Sequence, residues 1–73
     1  MLAVDPTEQF AKNLRAARLR AGLSQEQLAD RCDLHPTEIS RLERAKREPR
    51  LGTIVRVARA LGIAPGSLLR DIG

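Results

Sequence analysis

Cys32, Asp33 and His35 are neighbours whose types could hold a metal or pair a nucleophile with a base. The chain has one Cys and one His, too few for a structural zinc site, which takes about four N or S ligands. The carboxylates are scattered along amphipathic segments instead of converging as an acid/base pair, so neither an enzyme nor a metal or other cofactor is expected. The abundant chemistry is cationic. Thirteen Lys and Arg face nine Asp and Glu, a net charge of +4, and the isoelectric point is near 10.6. Arg41, Arg44, Lys46, Arg47 and Arg50 crowd one stretch, a layout that suits an anionic partner. Charge alone does not separate DNA from a membrane surface. Phe10 is the only aromatic residue, so the stacking platforms that capture single strands and RNA loops are missing, and duplex DNA is favoured.

Short helices must position these groups. Ser24 precedes Gln27 by three residues, the spacing of a capping box, with Leu23 and Leu28 at the flanking staple positions. Leu28, Ala29 and Cys32 then recur at helical spacing, predicting a helix over about 25–32 whose cysteine is buried as a small hydrophobe. After Asp33, His35-Pro36 marks a new start, because proline suits the first helical position. Ile39 and Leu42 face inward from this third helix, which turns Thr37, Glu38, Arg41 and Arg44 outward. An outward helix carrying arginines can act as a reader. Upstream, Asp5-Pro6-Thr7-Glu8 reads as a capped start, Phe10, Leu14 and Ala17 as a buried stripe, and Gly22 as a stop; Leu19 falls off the stripe. Pro49 discourages helix before Leu51, where a fourth helix begins and carries Ile54, Val57, Ala58 and Leu61 inward, with Arg56 and Arg59 outward, to Gly62. Pro65 starts a last short helix whose Leu68 and Leu69 pack back on the first and fourth. The expected fold is all-α, five short helices around one core, a single domain over 1–73 with its helix-turn-helix at 24–44.

The segment Gly22-Leu23-Ser24-Gln25, the run Ile39-Ser40-Arg41-Leu42-Glu43-Arg44, and the later Pro49, Leu51 and Ala58-Arg59-Ala60-Leu61-Gly62 together resemble the phage-repressor-like, Cro/repressor type of helix-turn-helix family, also called the xenobiotic-response-element type. The resemblance covers nearly the whole chain. It implies a repressor-like DNA-binding fold and sequence-specific regulation of transcription, with the third helix in the major groove. The base-contacting positions it implies are Arg41, Thr37, Glu38, His35 and Pro36. Arginine suits the O6/N7 edge of guanine, threonine offers a hydroxyl or a methyl, and glutamate accepts from cytosine N4. For Arg41 and Thr37 the plain alternative is a solvated surface. Glu38 equally fits a capping box with His35, and His35 a cap or a phosphate contact. Pro36 can supply only apolar contact or shape. Gln25 is implied at the phosphate backbone, where the start of a helix welcomes an anion. Arg44, Lys46, Arg47 and Arg50 suit phosphate anchoring. Arg18 and Glu43 match family positions that form a structural ion pair. Two positions depart from the pattern: Asp33 stands where glycine is usual in the turn, and Ala45 replaces the glycine after the third helix, which could let that helix run on toward Lys46.

The expected partner is double-stranded DNA carrying a pseudo-palindromic operator, bound by a homodimer at least on DNA. No stretch has the length or apolarity to cross a membrane, and no leader is evident, so a cytoplasmic protein of bacterial or phage type is expected. The rival is a protein-interaction module of the same fold, such as an antitoxin or adaptor, which a contiguous exposed patch of Leu19, Leu69 and Ile72 would favour.

Overall fold

The structure, a computed structural model, describes residues 5–72. The elements run α1 (Pro6–Arg20), α2 (Gln25–Cys32), α3 (Pro36–Glu43), α4 (Leu51–Leu61) and a 3-10 helix, Pro65–Leu69. Among the described residues there is no strand. Four α-helices therefore replace the five expected. The final segment is too short to nucleate an α-helix, and it closes with tighter bonds such as Ser67 N–H to the Ala64 carbonyl, 2.9 Å.

Local chemistry explains each boundary. Asp5 Oδ2 accepts from the Thr7 and Glu8 amides, and Pro6 opens α1. Gly22, at φ 72°, ends it with a bond from Leu23 N–H to the Arg18 carbonyl, 3.2 Å. The capping box of α2 is present in both directions: Gln27 N–H donates to Ser24 Oγ at 3.0 Å, and Ser24 N–H to Gln27 Oε1 at 2.8 Å. Asp33 takes the left-handed conformation, φ 56° and ψ 45°, so the turn survives without glycine.

Ala45 does not let α3 run on. It also goes left-handed, φ 56°, while Lys46 N–H bonds the Arg41 carbonyl at 2.9 Å and Ala45 N–H the Leu42 carbonyl at 3.3 Å. This is the Schellman pattern with alanine at the position that favours glycine, stopping the helix at Glu43. Ala45→Gly removes a left-handed penalty of about 1–2 kcal/mol but adds unfolded-chain entropy. A net gain of about 0.5–1 kcal/mol is expected, visible as a rise in Tm of roughly 2–8 °C in a thermal melt.

The helices close over one core containing Phe10, Leu14, Leu28, Ile39, Leu42, Val57 and Leu68, each under 2% exposed. Ala29 and Ala58, also fully buried, allow α2 and α4 to approach. Leu69 does not join this lid as expected. It stays 40% exposed, because a 3-10 helix turns three residues per turn and sends adjacent Leu68 and Leu69 different ways.

Candidate nucleic-acid interface

The outer face of α3 carries Thr37, Arg41 and Arg44, all exposed and spaced one turn apart, with Glu38 half-buried beside them. His35 caps the helix: its Nδ1 accepts from Thr37 N–H at 3.1 Å, which places any single ring proton on Nε2. Glu38 does not complete a box with His35. Its carboxylate instead meets Arg47 Nη1 at 3.5 Å, because the loop after α3 returns past the start of the helix. Pro36 is half-buried at the first helical position.

Beyond α3 the charge is largely uncompensated. Among the described residues the ion pairs are Arg18–Glu43, Arg47–Glu38 and Arg56–Asp33. Arg41, Arg44, Lys46 and Arg50 are exposed and have no carboxylate partner among the described residues. Arg44 Nε bonds the Ser40 carbonyl at 3.4 Å, a weak contact that leaves its other donors open. A run of free cations beside an outward helix concentrates positive potential where a polyanion would dock.

The ion pair behind this face is buried. Arg18 donates through Nε and Nη2 to the two Glu43 oxygens at 2.5 and 2.9 Å, and through Nη1 to the Leu23 carbonyl at 2.8 Å. The side chains are 10% and 3% exposed. Hydrogen bonding to Glu43 holds the Arg18 guanidinium above its ordinary pKa despite burial. Gln25, expected at a phosphate, lies at the start of α2 with its Nε2 bonded to Glu43 Oε1 at 3.1 Å. The start of α2 and the face of α3 enclose an open notch lined by Arg18, Ser24, Gln25, Glu26, Pro36, Thr37 and Ser40, with the exposed Glu26 carboxylate in the first turn of α2.

Other contacts join residues far apart in the sequence. Arg56, assigned to solvent, reaches across from α4 and donates to the Cys32 and Asp33 carbonyls at 2.8 and 2.9 Å. It thus satisfies the last carbonyls of α2, where the helix dipole favours a cation. Asn13 ties α1 to the end of the 3-10 helix by donating to the Leu68 and Arg70 carbonyls at 3.0 and 2.8 Å. Cys32 donates its thiol to the Leu28 carbonyl at 3.1 Å and is buried in the core, where burial pushes its pKa up. Leu69 and Ile72 share a groove with Pro6, Phe10, Pro49 and Ile54, and Leu19 lies outside it. Among the described residues the large hydrophobics exposed at the surface are Leu19, Leu51 and Leu69.

Two capped helices at a tight turn, the second presenting unpaired arginines, define a helix-turn-helix DNA-binding module. The helix-turn-helix family pattern matches residues 14–68, and the chain belongs to that family, in its Cro/C1-type form. It is 44% identical over 61 residues to control protein C.BamHI of Bacillus amyloliquefaciens, covering 82% of this chain and 75% of the relative. It is 41% identical over 70 residues to control protein C.SmaI of Serratia marcescens, covering 96% and 83%. Its fold matches the crystal structure of the restriction-modification controller protein C.AhdI from Aeromonas hydrophila with TM-score 0.83 and 37% identity, covering 85% of this chain and 94% of that one. The protein is a DNA-binding transcriptional regulator.

Proposed function

We propose that two copies of this regulator bind one pseudo-palindromic operator, each laying α3 in the major groove, with residues 24–44 as the DNA-contacting core. The observation that carries this reading is the set of unpaired cations on and behind the exposed face of α3. Arg41 reads a guanine edge, Thr37 and Glu38 contact neighbouring bases, and Pro36 and His35 shape the entry to the groove. Arg44, Lys46, Arg47 and Arg50 hold phosphates on one flank, and Gln25 at the start of α2 holds one on the other. Such an operator would be met in the cytoplasm. Similarity to two control proteins and to the restriction-modification controller protein C.AhdI supports a controller of a restriction-modification system.

The apolar groove beside Leu69 and Ile72 supports self-association. Leu51, 77% exposed, stands on the first turn of α4 three residues before Ile54, which lines the groove. On this reading Leu51 and Leu69 serve pairing between copies, whereas a protein partner of the antitoxin or adaptor kind is the alternative use of the same surface. Half-sites should lie about 10 base pairs apart, so that both copies of α3 meet one face of DNA. Selection of bound sites from random duplex DNA tests the operator. Leu51→Glu with Leu69→Glu tests the pairing: operator binding should lose its two-step or cooperative character and weaken roughly tenfold or more, since one tenfold step is only about 1.4 kcal/mol. Selected sites with a single unrepeated half, or a variant that binds as the parent does, would overturn the dimer.

A further inference from the structure

We infer that the buried Arg18–Glu43 pair is a positioning device for DNA binding, setting Gln25 and the start of α2 against α3, and not only a brace for the fold. The inference rests on the reading that Gln25 meets a phosphate. Arg18 holds both sides of the cap: Nη1 takes the Leu23 carbonyl just before Ser24, while Nε and Nη2 take Glu43 on the last turn of α3. Glu43 Oε1 then accepts from Gln25 Nε2 at 3.1 Å, on the first residue of α2. One carboxylate therefore links α1, α2 and α3, and its partners Arg18 and Gln25 line the notch between anchor and reader.

Two physical consequences follow. A glutamine at the start of a surface helix ordinarily samples several rotamers, and ordering one on DNA costs side-chain entropy. Glu43 imposes that order before DNA arrives and leaves the second Nε2 hydrogen for the phosphate, beside the Gln25 and Glu26 amides that precede the capped Gln27 amide. A lone carboxylate so close would repel a phosphate, but Arg18 neutralises it in place. Arg18 and Glu43 are thus positioning residues that act through Gln25.

A double-mutant cycle on DNA affinity tests this, using Gln25→Ala, Glu43→Gln and their combination on cognate and scrambled duplexes. Thermal melts by circular dichroism set a temperature at which all variants are folded. Gln25→Ala should weaken binding about fivefold on both duplexes without changing the salt slope, because a neutral amide displaces no counterion. In the Glu43→Gln background the same change should cost less than twofold. The added charge of Glu43→Gln appears on both sides of the cycle and cancels. An equal fivefold cost in both backgrounds overturns the inference, leaving the pair purely structural. Should Glu43→Gln not fold at any usable temperature, side-chain amide relaxation of Gln25 in the unmodified free protein decides. An ordered amide supports the inference and a freely averaging one overturns it. DNA recognition itself is judged separately, by whether the unmodified protein prefers cognate over scrambled duplex.

Discussion

Glu43→Ala is expected to cost about 3–5 kcal/mol of folding stability, because it strands the Arg18 guanidinium in a site where its side chain is only 10% exposed. A chain of 73 residues has a total stability of only roughly 4–11 kcal/mol, so the variant should lose a large share of its folding margin. The loss comes from the orphaned charge more than from the missing bond. Replacing both partners by apolar residues of similar size, Arg18→Met with Glu43→Leu, should therefore recover most of it. Urea melts of the parent, the single variant and the double variant check both halves. A single-variant loss under about 1 kcal/mol would mean that the pair is solvated and behaves as a surface bridge. The sign of any pH effect is also fixed. Folding raises the Arg18 pKa, so its contribution is fully present below the ordinary arginine range and is lost only as pH rises above it. No weakening from this group is expected near neutrality.

Much of this architecture was legible because it is written in short-range chemistry. The capping box at Ser24 and Gln27, the proline at the first position of α3, and the i, i+3, i+4 spacing of core residues each act over one or two turns. They predicted α2 at Gln25–Cys32 to the residue. The outward placement of Thr37, Arg41 and Arg44 followed from the inward placement of Ile39 and Leu42, since one face fixes the other.

What was not legible depends on contacts distant in sequence. Nothing in helical periodicity tells that Arg56 will cap the end of α2, 24 residues earlier. An outward arginine on one helix and an open carbonyl end on another are both ordinary until packing brings them together. Removing Arg56 deletes two bonds from a charged donor, yet its side chain is 47% exposed, so solvent screens much of their worth. The pairing of Glu38 with Arg47 is similar, for the loop had to fold back before glutamate could choose arginine over the His35 amide. The end of α3 failed for a different reason. Alanine has no propensity for left-handed geometry, but the carbonyls of Arg41 and Leu42 needed donors, and closing those bonds outweighed about 1–2 kcal/mol of local strain at Ala45.

Arg41→Ala and Arg50→Ala should both weaken DNA binding, but in different ways, and the contrast separates reading from anchoring. Arg41 faces out from the middle of α3, whereas Arg50 stands at the N-cap of α4, beyond the loop; both are exposed and have no carboxylate partner among the described residues. Neither substitution removes a buried contact, so folding should be intact in each. A bidentate contact to guanine discriminates among bases, so Arg41→Ala should remove roughly 1–3 kcal/mol from cognate binding and relax preference at one base pair per half-site. Binding to scrambled duplex should change much less. A phosphate contact carries no sequence information but displaces a counterion. Arg50→Ala should therefore weaken cognate and scrambled binding by the same factor and flatten the line of log affinity against log salt by about one unit per subunit. Anisotropy titrations of both variants on both duplexes, at several salt concentrations, measure all four quantities, with circular dichroism confirming helicity. If Arg41→Ala lowers binding equally on cognate and scrambled duplex, Arg41 is another anchor, and base recognition rests on Thr37, Glu38 and His35 at the entry of the helix.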